Sequence, residues 1–597
     1  IIYVTRDIER ALGLALSNTE GLPLDTRGYF IISNFTPFAK SVARGRKNVV
    51  LVKEEKMLDT YELLQWAAAN NAFDFAKKRD SSTPRLIGGS VGMTPAIVVF
   101  KPTIQIEKIC TKNSWKLLNP SAELSNKVEE KISQINWLGP LKKYLPDYKV
   151  QLCKNIKWPG HKFVLQFNRS HTGSGTILID EKPARIPKKS GSEAGRQKLE
   201  EIKQKFPNRE ARVAKYIDGP LFTNNNVVAK DTVLLGNINY QITGLLPFTE
   251  NPFSTIGNDW ELPRKILTKK QLARYNKIAT DVGNRLRDSG WKGLFGIDVV
   301  LEQSTGKLYL LEINCRQPAS TTYESQLQNY VRTTKRVRNY EITNNKKYLL
   351  SPISTFDAHL LALLDQPIKA HKLISLKSGA QIIQRVTKDV PTLKEPKLYK
   401  PDNRFTYIHY NNTKPGSDLL RLQTKQGIME SHNKLNALGN QLMDFIFCTN
   451  GGSRWNAPRG AVIIIKNKKI LLIKRHKCGR DYYIIPGGTM DKGETIKQTA
   501  IREAKEETGF DVVLSKQKPW KFKFEYRDEY YFFVDKMSGK CHLGGPEAKL
   551  NNPANHYGLE WVNMKKLEKI NLVPIDIKHQ IQNYKSQIIF KIQMFKL

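Results

Sequence analysis

The chain has 597 residues, with 96 Lys and Arg against 56 Asp and Glu, which gives a formal net charge of +40. Hydrophobic residues make up 40% of the sequence and include 24 Phe, 23 Tyr and 9 Trp, so a largely disordered chain is excluded. Since single hydrophobic cores stop growing beyond about 250–300 residues, we expect about three to five domains.

The positive charge is distributed along the whole sequence. Residues 451–597 carry a net charge of +13, and no basic run is interleaved with aromatic residues. A positive surface attracts anionic nucleotides and nucleic acid. A general preference for lysine is favoured over dedicated nucleic-acid binding, because no motif for such binding is present. Nucleic acid stays a possible partner without motif support.

The six cysteines lie far apart and include no CxxC pair, which favours a reducing cytoplasm over a disulfide framework. The longest apolar runs, such as residues 461–465, have the length of a strand and are far too short to span a membrane. We therefore expect a cytoplasmic protein without a membrane partner. The sequence leaves the oligomeric state open.

Short β-rich runs alternate with helical ones in the first 115 residues. Strands are predicted at residues 29–33, 49–52 and 96–100, with a helix over about residues 59–75. This order predicts a small Rossmann-like α/β domain with parallel strands.

The first chemical motif consists of two apolar strands joined by a short turn. The turn is centred near Thr305, and Gly306 takes its left-handed position. This register places Asp298 opposite Glu312, and Asn314 lies on the same face. Two carboxylates that face each other in a sheet repel unless a cation lies between them. The sequence therefore predicts a cation site on this hairpin.

The hairpin resembles the metal-binding end of the ATP-grasp superfamily, which includes biotin carboxylase, carbamoyl-phosphate synthase and D-alanine ligase. The resemblance implies that Asp298, Glu312 and Asn314 bind Mg²⁺ between the phosphates of ATP. It also implies that Arg316 lies near the phosphates or the acyl intermediate. In such enzymes ATP phosphorylates a carboxylate, and an amine or similar nucleophile attacks the acyl phosphate. The sequence identifies neither the carboxylate nor the amine.

Segments upstream of the hairpin match the superfamily in order. They comprise a helix-like segment from Asn126 to Gly139, a glycine-rich loop at residues 170–176 and a hinge at residues 213–219. The residues implied in nucleotide binding are Lys127, Gly173, Gly175, Lys215, Tyr216 and Ile217. Two positions depart from the family pattern: Gln166 stands where a strand lysine is usual, and Lys215 stands where the hinge often has an acidic residue.

The stretch from residue 331 to residue 450 is less regular. A strand is predicted at residues 381–386 and a loop rich in Pro and Lys at residues 390–403. Apolar residues near one face predict an amphipathic helix over about residues 428–447. A turn-rich domain boundary follows at residues 449–458.

The second motif is a helix that carries clustered carboxylates. Residues 461–465 and 470–473 are predicted to form a hairpin, and a turn at residues 486–488 precedes the helix. Three of its glutamates share one face because they stand at i, i+3 and i+4: Glu503, Glu506 and Glu507. Ile496, Ala500 and Ala504 lie on a different stripe that can pack on a sheet. Clustered carboxylate oxygens suit Mg²⁺ or Mn²⁺.

Residues 488–510 resemble the Nudix hydrolase family at each fixed position, with Ala504 as a weak match in an apolar slot. The resemblance implies that Glu503, Glu506 and Glu507 bind divalent ions that act on a nucleoside-diphosphate-linked substrate. Arg502 would orient a carboxylate through a salt bridge, and Glu494 would support the site. Two residues are candidates for the general base: Glu507 and Glu547.

The sequence as a whole predicts a mixed α/β and α+β multidomain protein. Its expected domains are a pre-ATP-grasp domain (1–115), an ATP-grasp domain (116–330), an ATP-grasp extension with a connecting helix (331–450) and a Nudix α/β/α sandwich (451–597). The predicted function is bifunctional: Mg²⁺-dependent Nudix hydrolysis and ATP-dependent carboxylate–amine ligation. In the alternative, the ATP-grasp module is a non-catalytic ATP sensor that serves the hydrolase.

Overall fold

The computed structural model of the chain contains two compact units, unit 1 (Ile1–Met443) and unit 2 (Asp444–Leu597). It describes residues 1–14, 28–73, 94–168, 176–180, 191–334, 340–343, 346–349, 351–387, 390, 405–410, 412–449, 458–477, 480–491, 493–524, 527–545, 548, 555–573 and 577–581. Within these residues every helix is too short or too polar to cross a lipid bilayer.

Unit 1 begins with a parallel sheet. Its strands are β1 (Ile2–Val4), β2 (Phe30–Asn34), β3 (Val49–Val52), β4 (Ala96–Val98) and β5 (Lys116–Leu117). They lie in the order β3-β2-β1-β4-β5. The connecting helices are α1 (Pro37–Ala43), α2 (Thr60–Ala69) and α3 (Ile104–Lys112). The parallel α/β arrangement predicted from the sequence is confirmed.

Two short helices follow, α4 (Ala122–Glu129) and α5 (Ser133–Leu138). The sequence predicted one helical segment here, and the structure breaks it between the two helices. The side-chain oxygen of Asn168 accepts hydrogen bonds from the backbone N–H groups of Ile132 and Ser133, at 2.9 and 3.3 Å. Because these N–H groups are bonded to Asn168, a second helix can begin at this point.

A four-stranded antiparallel sheet comes next, and we call it the small sheet. Its strands are β6 (Tyr148–Leu152), β7 (Phe163–Phe167), β8 (Thr176–Ile179) and β9 (Glu210–Lys215), in the order β6-β9-β7-β8. Helix α6 (Gly191–Lys205) packs on one of its faces. The buried core between helix and sheet includes Phe163, Leu165, Phe167, Leu199, Ile202 and Ala211. Because strand side chains alternate, Gln166 and Arg212 lie on the opposite face.

A nine-stranded antiparallel sheet, the large sheet, forms the centre of unit 1. Its strands are β10 (Leu221–Val228), β11 (Val233–Leu234), β12 (Asn239–Thr243), β13 (Thr255–Asp259), β14 (Gly293–Leu301), β15 (Leu308–Asn314), β20 (Ala380–Arg385), β21 (Phe405–His409) and β22 (Asp418–Thr424). The order is β15-β14-β10-β12-β13-β20-β22-β21, and β11 pairs with β10. Between β13 and β20 the chain forms α7 (Leu262–Ile266), α8 (Lys269–Asp288), α9 (Thr321–Thr334), β16 (Tyr340–Thr343), β17 (Lys346–Leu349), β18 (Ser351–Ile353), α10 (Thr355–Leu363) and β19 (His371–Leu373).

Helix α10 is buried on both sides. Phe356, Leu360 and Leu363 pack into the core of the parallel sheet, whereas Ala358, Leu361 and Ala362 pack with residues of the large sheet. The parallel sheet therefore depends on a helix that lies about 240 residues further along the chain than its last strand. Local sequence patterns around the parallel strands contain no signal of this contact.

The helix predicted from residue 428 starts later than expected. Residues before it form the hairpin of β23 (Met429–Ser431) and β24 (Lys434–Leu435), and α11 spans Ala437–Thr449. Asn433 supplies the left-handed turn position, with φ of 58°. The side chain of Asn436 accepts a hydrogen bond from the N–H of Gly439 at 2.9 Å. These asparagines favour a turn and a helix start, and they outweigh the apolar periodicity. The loop predicted at residues 390–403 lies outside the described residues apart from residue 390.

The described residues of unit 2 include a long helix, α12 (Ile496–Thr508), that packs against strands of two sheets. The strands are β25 (Arg459–Ile463), β26 (Ile465–Lys466), β27 (Lys469–Lys477), β28 (Arg480–Ile484), β29 (Gly487–Thr489), β30 (Asp511–Leu514), β31 (Trp520–Phe524), β32 (Arg527–Ser538), β33 (Asn555–Asn563) and β34 (Leu572–Val573). One sheet contains β29-β25-β32-β30 with β31, and the other contains β26-β27-β28-β34 with β33.

The hairpin predicted between residues 461–465 and 470–473 is only partly present. Ile465 and Lys466 pair with β27 as expected. Strand β25 instead pairs in parallel with β32 and belongs to the other sheet. The chain thus changes sheets at Ile464, which a continuous apolar run of five residues does not reveal.

Alternating residues of β25 separate two cores in unit 2. Val462 packs with Ala500 and Ala504 of α12, whereas Ala461 and Ile463 pack on the side of Leu567 and Ile577. The sheets therefore lie between α12 and the segment around residues 564–581. This arrangement confirms the predicted α/β/α sandwich.

The two-sided burial of α10 can be tested with neighbouring residues. Leu360 and Leu361 are 1% and 5% exposed and belong to different cores. We expect Leu360→Ala and Leu361→Ala each to lower the free energy of unfolding by about 2–5 kcal/mol, because each leaves a cavity. Urea unfolding of the full chain, followed by tryptophan fluorescence, measures both.

Ile104→Ala serves as the control for these variants. Ile104 is 52% exposed on α3, so its truncation should change the free energy of unfolding by no more than about 0.5 kcal/mol. If either leucine variant is as mild as this control, α10 does not join the two sheets as described.

Candidate active sites

The hairpin of β14 and β15 has the register that the sequence predicts. Asp298 lies opposite Glu312, and Gly296 lies opposite Asn314. Gly306 adopts φ of 70° in the connecting turn. The register shifts by one residue after Asp298, so Leu311 is the extra residue of a bulge. The two carboxylates are thereby held side by side on the edge of the large sheet.

The two carboxyl groups have different surroundings. Burial, together with the charge of Glu312, raises the pKa of Asp298 to about 7. Hydrogen bonds from Thr223 and from Asn314, at 3.3 Å, act against this increase. Burial also disfavours ionised Glu312, but the nearby cations Lys131 and Arg316 outweigh burial and hold the pKa of Glu312 below its usual value. The pair therefore combines one ionised carboxylate with one that is poised to lose its proton.

The lysine nearest the pair is Lys131, which the sequence analysis missed. Its Nζ lies 2.9 Å from Oε1 of Glu312, and the residue is 5% exposed. Lys127, the lysine proposed from the sequence, is exposed on α4 and is not among the residues that line the neighbouring cavity. The break between α4 and α5 explains the difference, because it turns the chain so that the later lysine faces the hairpin.

Arg316 follows the hairpin and is anchored by an acidic residue. Its Nη1 lies 2.5 Å from Oε1 of Glu129, whose other oxygen lies 2.5 Å from Nζ of Lys101. Glu312 and Asp298 also attract Arg316 electrostatically. The arginine predicted near the phosphates is thus held beside the carboxylate pair.

A cavity of about 240 Å³ lies between the small and large sheets. Gln166 and Arg212 of the small sheet and Leu311 of the large sheet contribute to its walls. The hinge residues Lys215, Tyr216 and Ile217 line it together with Tyr240 and His432. Since ligands commonly bind in such clefts, this cavity is the candidate nucleotide site of unit 1.

The hinge is shaped by a glycine and an ion pair. A Cβ on Gly219 would lie 1.9 Å from the carbonyl oxygen of Leu301, so no side chain fits there. Nζ of Lys215 lies 2.8 Å from Oε1 of Glu302, at the end of β14. The lysine that replaces an acidic residue is therefore paired with Glu302, and its neighbours Tyr216 and Ile217 line the cavity.

Gly173, Gly175 and Glu547 lie outside the described residues. Their proposed roles in phosphate binding and as a general base therefore stay predictions.

In unit 2, the carboxylate helix has well-defined ends. Thr495 is the N-cap and forms a capping box with Gln498. Gly509 ends the helix in the left-handed conformation, with φ of 75°. Both features are common at the ends of helices. They fix the helical phase that places Glu503, Glu506 and Glu507 on one face.

Arg502 connects most of the carboxylates around this helix. Its guanidinium lies 2.7 Å from Glu494, 2.7 Å from Glu503 and 3.1 Å from Glu506. Asp491 is more distant, at 3.6 Å. The hydrogen bond from Arg502 lowers the pKa of Glu494 to about 2. A single cation thus compensates several neighbouring negative charges.

Glu507 is the most deeply buried of the three glutamates. It is 4% exposed, and its Oε2 accepts a hydrogen bond of 2.7 Å from the N–H of Gly487. The side chain of Glu506 is 42% exposed. This difference indicates that Glu507 fixes the loop before the helix, whereas Glu506 faces the solvent-accessible part of the site.

Gly488 gives Glu503 its space. A Cβ at position 488 would lie 2.2 Å from Oε1 of Glu503. A side chain at position 488 would therefore displace the carboxylate of Glu503, a candidate metal ligand.

Two buried charged residues near this site were missed by the sequence analysis. Arg459 is 8% exposed and Glu529 is 6% exposed, and their side chains lie 3.6 Å apart. Arg459 also donates to the carbonyl oxygens of Ile485 and Gly487, at 2.7 and 2.9 Å. The available signal was a single charged residue next to an otherwise apolar strand, which is too common to single out a site.

The donor sets fit hard divalent cations. In each unit carboxylate oxygens converge from neighbouring positions, which is the ligand chemistry that Mg²⁺ and Mn²⁺ prefer. Within the part of the chain that the structure describes, no three His, Cys, Asp or Glu side chains are already gathered closely enough to enclose an ion. In unit 2, Arg502 holds two of the candidate ligands, so a change in its contacts would accompany metal binding.

The sequence comparisons and the structural comparisons give different relatives of this chain. A family model described as a NUDIX domain matches residues 456–582. The chain is 31% identical over 131 residues to a Bacillus subtilis protein named "Putative 8-oxo-dGTP diphosphatase". The matched segment covers 21% of this chain and 80% of that protein. The chain is 48% identical over 48 residues to the ADP-ribose pyrophosphatase of Methanocaldococcus jannaschii, which covers 8% of this chain and 28% of that protein.

Solved structures similar to the chain include two nucleotide complexes. One is the N5-carboxyaminoimidazole synthetase of Staphylococcus aureus complexed with ADP, with a TM-score of 0.44 and 12% identity over 75% of this chain and 96% of that chain. The other is the biotin carboxylase–β,γ-ATP complex of Campylobacter jejuni, with a TM-score of 0.44 and 12% identity over 71% of this chain and 86% of that chain.

The family match lies entirely within unit 2, and it includes the capped helix with its carboxylates. Through this C-terminal part, the chain belongs to the Nudix family.

Proposed function

We propose that the protein is a bifunctional nucleotide enzyme. Unit 2 hydrolyses a phosphoanhydride bond of a nucleoside-diphosphate-linked substrate, and unit 1 uses ATP to join a carboxylate to an amine. The observation that carries the first activity is the group of glutamates on α12 that Arg502 connects. The second activity is supported by the opposed carboxylates of the β14–β15 hairpin beside the cavity between the two sheets.

In unit 2, Glu503, Glu506 and Glu507 would hold Mg²⁺ or Mn²⁺. Such ions polarise a phosphoryl group and lower the pKa of water. Glu494 holds Arg502 through two hydrogen bonds, of 2.7 and 3.1 Å, and Arg502 in turn orients Glu503. Glu506, which is more exposed than Glu507, is the ligand that is best placed to move. The relatives named above direct attention to oxidised nucleoside triphosphates and to ADP-ribose as substrate classes.

In unit 1, Asp298, Glu312 and Asn314 would hold Mg²⁺ that accompanies ATP. When bound, Mg²⁺ would neutralise part of the negative charge of the phosphates. Lys131 and Arg316 add positive charge on the same side of the hairpin. The backbone of the hinge, from Lys215 to Ile217, would bind the base in the cavity. Such a site works by positioning its reactants and by neutralising charge.

A second candidate function for unit 1 is ATP sensing without catalysis. Gln166, which occupies the usual place of a lysine, is the observation that favours it. Its side chain donates to the hydroxyl of Thr176 at 3.2 Å. ATP consumption that depends on an added carboxylate and amine would support the ligase, whereas binding without turnover would support the sensor.

The hydrolase assignment can be tested at Glu506. Glu506→Gln keeps the shape of the side chain but removes a charge that a divalent ion needs, so kcat should fall by on the order of a hundredfold or more. The thermal midpoint should stay near that of the wild type, since the side chain of Glu506 is 42% exposed. Release of phosphate or pyrophosphate from 8-oxo-dGTP and ADP-ribose in saturating Mg²⁺ measures the effect.

Glu560→Gln is the matched control for that substitution. Glu560 lies on β33, where it accepts a hydrogen bond from Tyr483 at an exposed position. It should retain wild-type turnover. A wild-type rate in Glu506→Gln on a substrate that the protein hydrolyses would exclude Glu506 as a metal ligand.

The ATP site of unit 1 can be tested by ligand stabilisation. A ligand that binds only the folded state at a hundredfold excess over its Kd stabilises that state by about 2.7 kcal/mol. We expect MgATP to raise the thermal midpoint of unit 1, and we expect Glu312→Gln to remove the part of this rise that requires Mg²⁺. Differential scanning calorimetry of the full chain with and without Mg²⁺ measures both.

Glu200→Gln provides the comparison, because Glu200 is an exposed residue of α6 that pairs with Lys203. It should leave the MgATP effect unchanged. The absence of any ATP-dependent shift in the wild type at millimolar MgATP would refute the ATP-binding function of unit 1.

A further inference from the structure

Arg212 is a buried arginine on the cavity face of the small sheet. It is 1% exposed, although it lies on a strand whose ends are accessible. Its neighbours Ala211 and Val213 point to the opposite face, where they pack with the core beneath α6. The alternation of β9 therefore directs Arg212 into the cleft between the two sheets, and Arg212 forms part of the cavity wall.

The guanidinium of Arg212 is poorly satisfied within the described part of the chain. Its Nε and Nη1 atoms are buried and have no hydrogen-bond partner there. The group lies over the ring of Tyr148, with 5.4 Å between Cζ and the ring centroid. Glu312 attracts it electrostatically but forms no ion pair with it at 4 Å or less among the described contacts. Burying a charged group without partners is costly, so this arrangement indicates an anionic ligand.

Arg212 also lies beside Gln166, the residue that stands where a lysine is usual. The two residues are directly opposite each other on β9 and β7, so their Cβ atoms lie about 5 Å apart. Both line the same cavity. A cation on either strand would therefore reach the same part of the cleft. Burial lowers the pKa of Arg212 to about 10, and the group still carries its charge at neutral pH.

We infer that Arg212 binds the phosphates of the nucleotide in unit 1. It supplies, from the neighbouring strand, the positive charge that is missing because Gln166 stands where a lysine is usual. This inference rests on the proposed nucleotide-binding function of unit 1. The planar guanidinium of Arg212 presents two parallel N–H groups to one phosphate in a fixed geometry, whereas a lysine acts as a point charge. Adenosine, which has no phosphate, should gain nothing from Arg212.

The test compares ADP with adenosine at the hinge of unit 1. Hydrogen–deuterium exchange of peptides that cover residues 213–219, in full-length protein titrated with each ligand in Mg²⁺, reports binding at this site separately from unit 2. In Arg212→Gln we expect the affinity for ADP to fall by about tenfold to a hundredfold, as for a lost charge-assisted hydrogen bond. The affinity for adenosine should stay unchanged.

Two further variants separate ligand binding from a structural role. Arg209→Gln makes the same substitution three residues earlier, at an exposed position beside Phe167 and Phe206, and should keep the wild-type ratio of the two affinities. The double variant Gln166→Lys/Arg212→Gln moves the cation to the opposite strand, and it should regain most of the preference for ADP. An arginine that only supported the fold would not produce this recovery.

The possible failures are distinguishable. If neither ADP nor adenosine protects the hinge of the wild type, the proposed nucleotide-binding function fails, and this inference fails with it. If the wild type binds ADP and Arg212→Gln keeps the same preference for ADP over adenosine, only the inference is overturned. If Arg212→Gln loses adenosine as well, the double variant decides: a restored preference for ADP supports the inference, and an absent one overturns it.

Discussion

A carboxylate that is withdrawn from water must be compensated by positive charge, and this constraint organises both candidate sites. In unit 1, Lys131 approaches Glu312 to 2.9 Å and allows it to stay ionised. In unit 2, Arg502 lies within 3.1 Å of Glu494, Glu503 and Glu506. In unit 2 this single cation faces three carboxylates. The negative charge that remains there makes the place suitable for a divalent ion.

The secondary structure supplies the geometry that this electrostatic balance requires. The antiparallel register of β14 and β15 brings Asp298 and Glu312 together on the two arms of one hairpin. In unit 2, one helical face does the same for Glu503, Glu506 and Glu507. Close packing then fixes the details, because Gly488 leaves room for the Glu503 carboxylate. Both units thus bring carboxylates together, unit 1 through the pairing of two strands and unit 2 through one face of a helix.

Local patterns in the sequence predicted much of this arrangement. The apolar strands and the turn glycine at position 306 were sufficient to predict the hairpin register, and the spacing of the glutamates was sufficient to predict the carboxylate helix. These signals are local, and each depends on a few neighbouring residues.

Long-range contacts could not be predicted in the same way. The position of Lys131 beside Glu312 depends on Asn168, which interrupts a helix about 40 residues earlier in the sequence. The burial of α10 against the parallel sheet depends on residues separated by more than 200 positions. Arg212 becomes significant only when the pairing of β9 with β7 places it beside Gln166. A single sequence contains no direct record of such pairings.

The central claim is that the chain holds two independent cation-dependent nucleotide sites. Titration of the full chain with Mn²⁺, followed by electron paramagnetic resonance in the presence of a non-hydrolysable ATP analogue, tests it most directly. We predict two classes of bound Mn²⁺, of which Glu506→Gln removes or weakens one and Glu312→Gln the other, each without effect on its counterpart. Mn²⁺ binding that neither substitution alters, or a single class that both abolish, would contradict the claim.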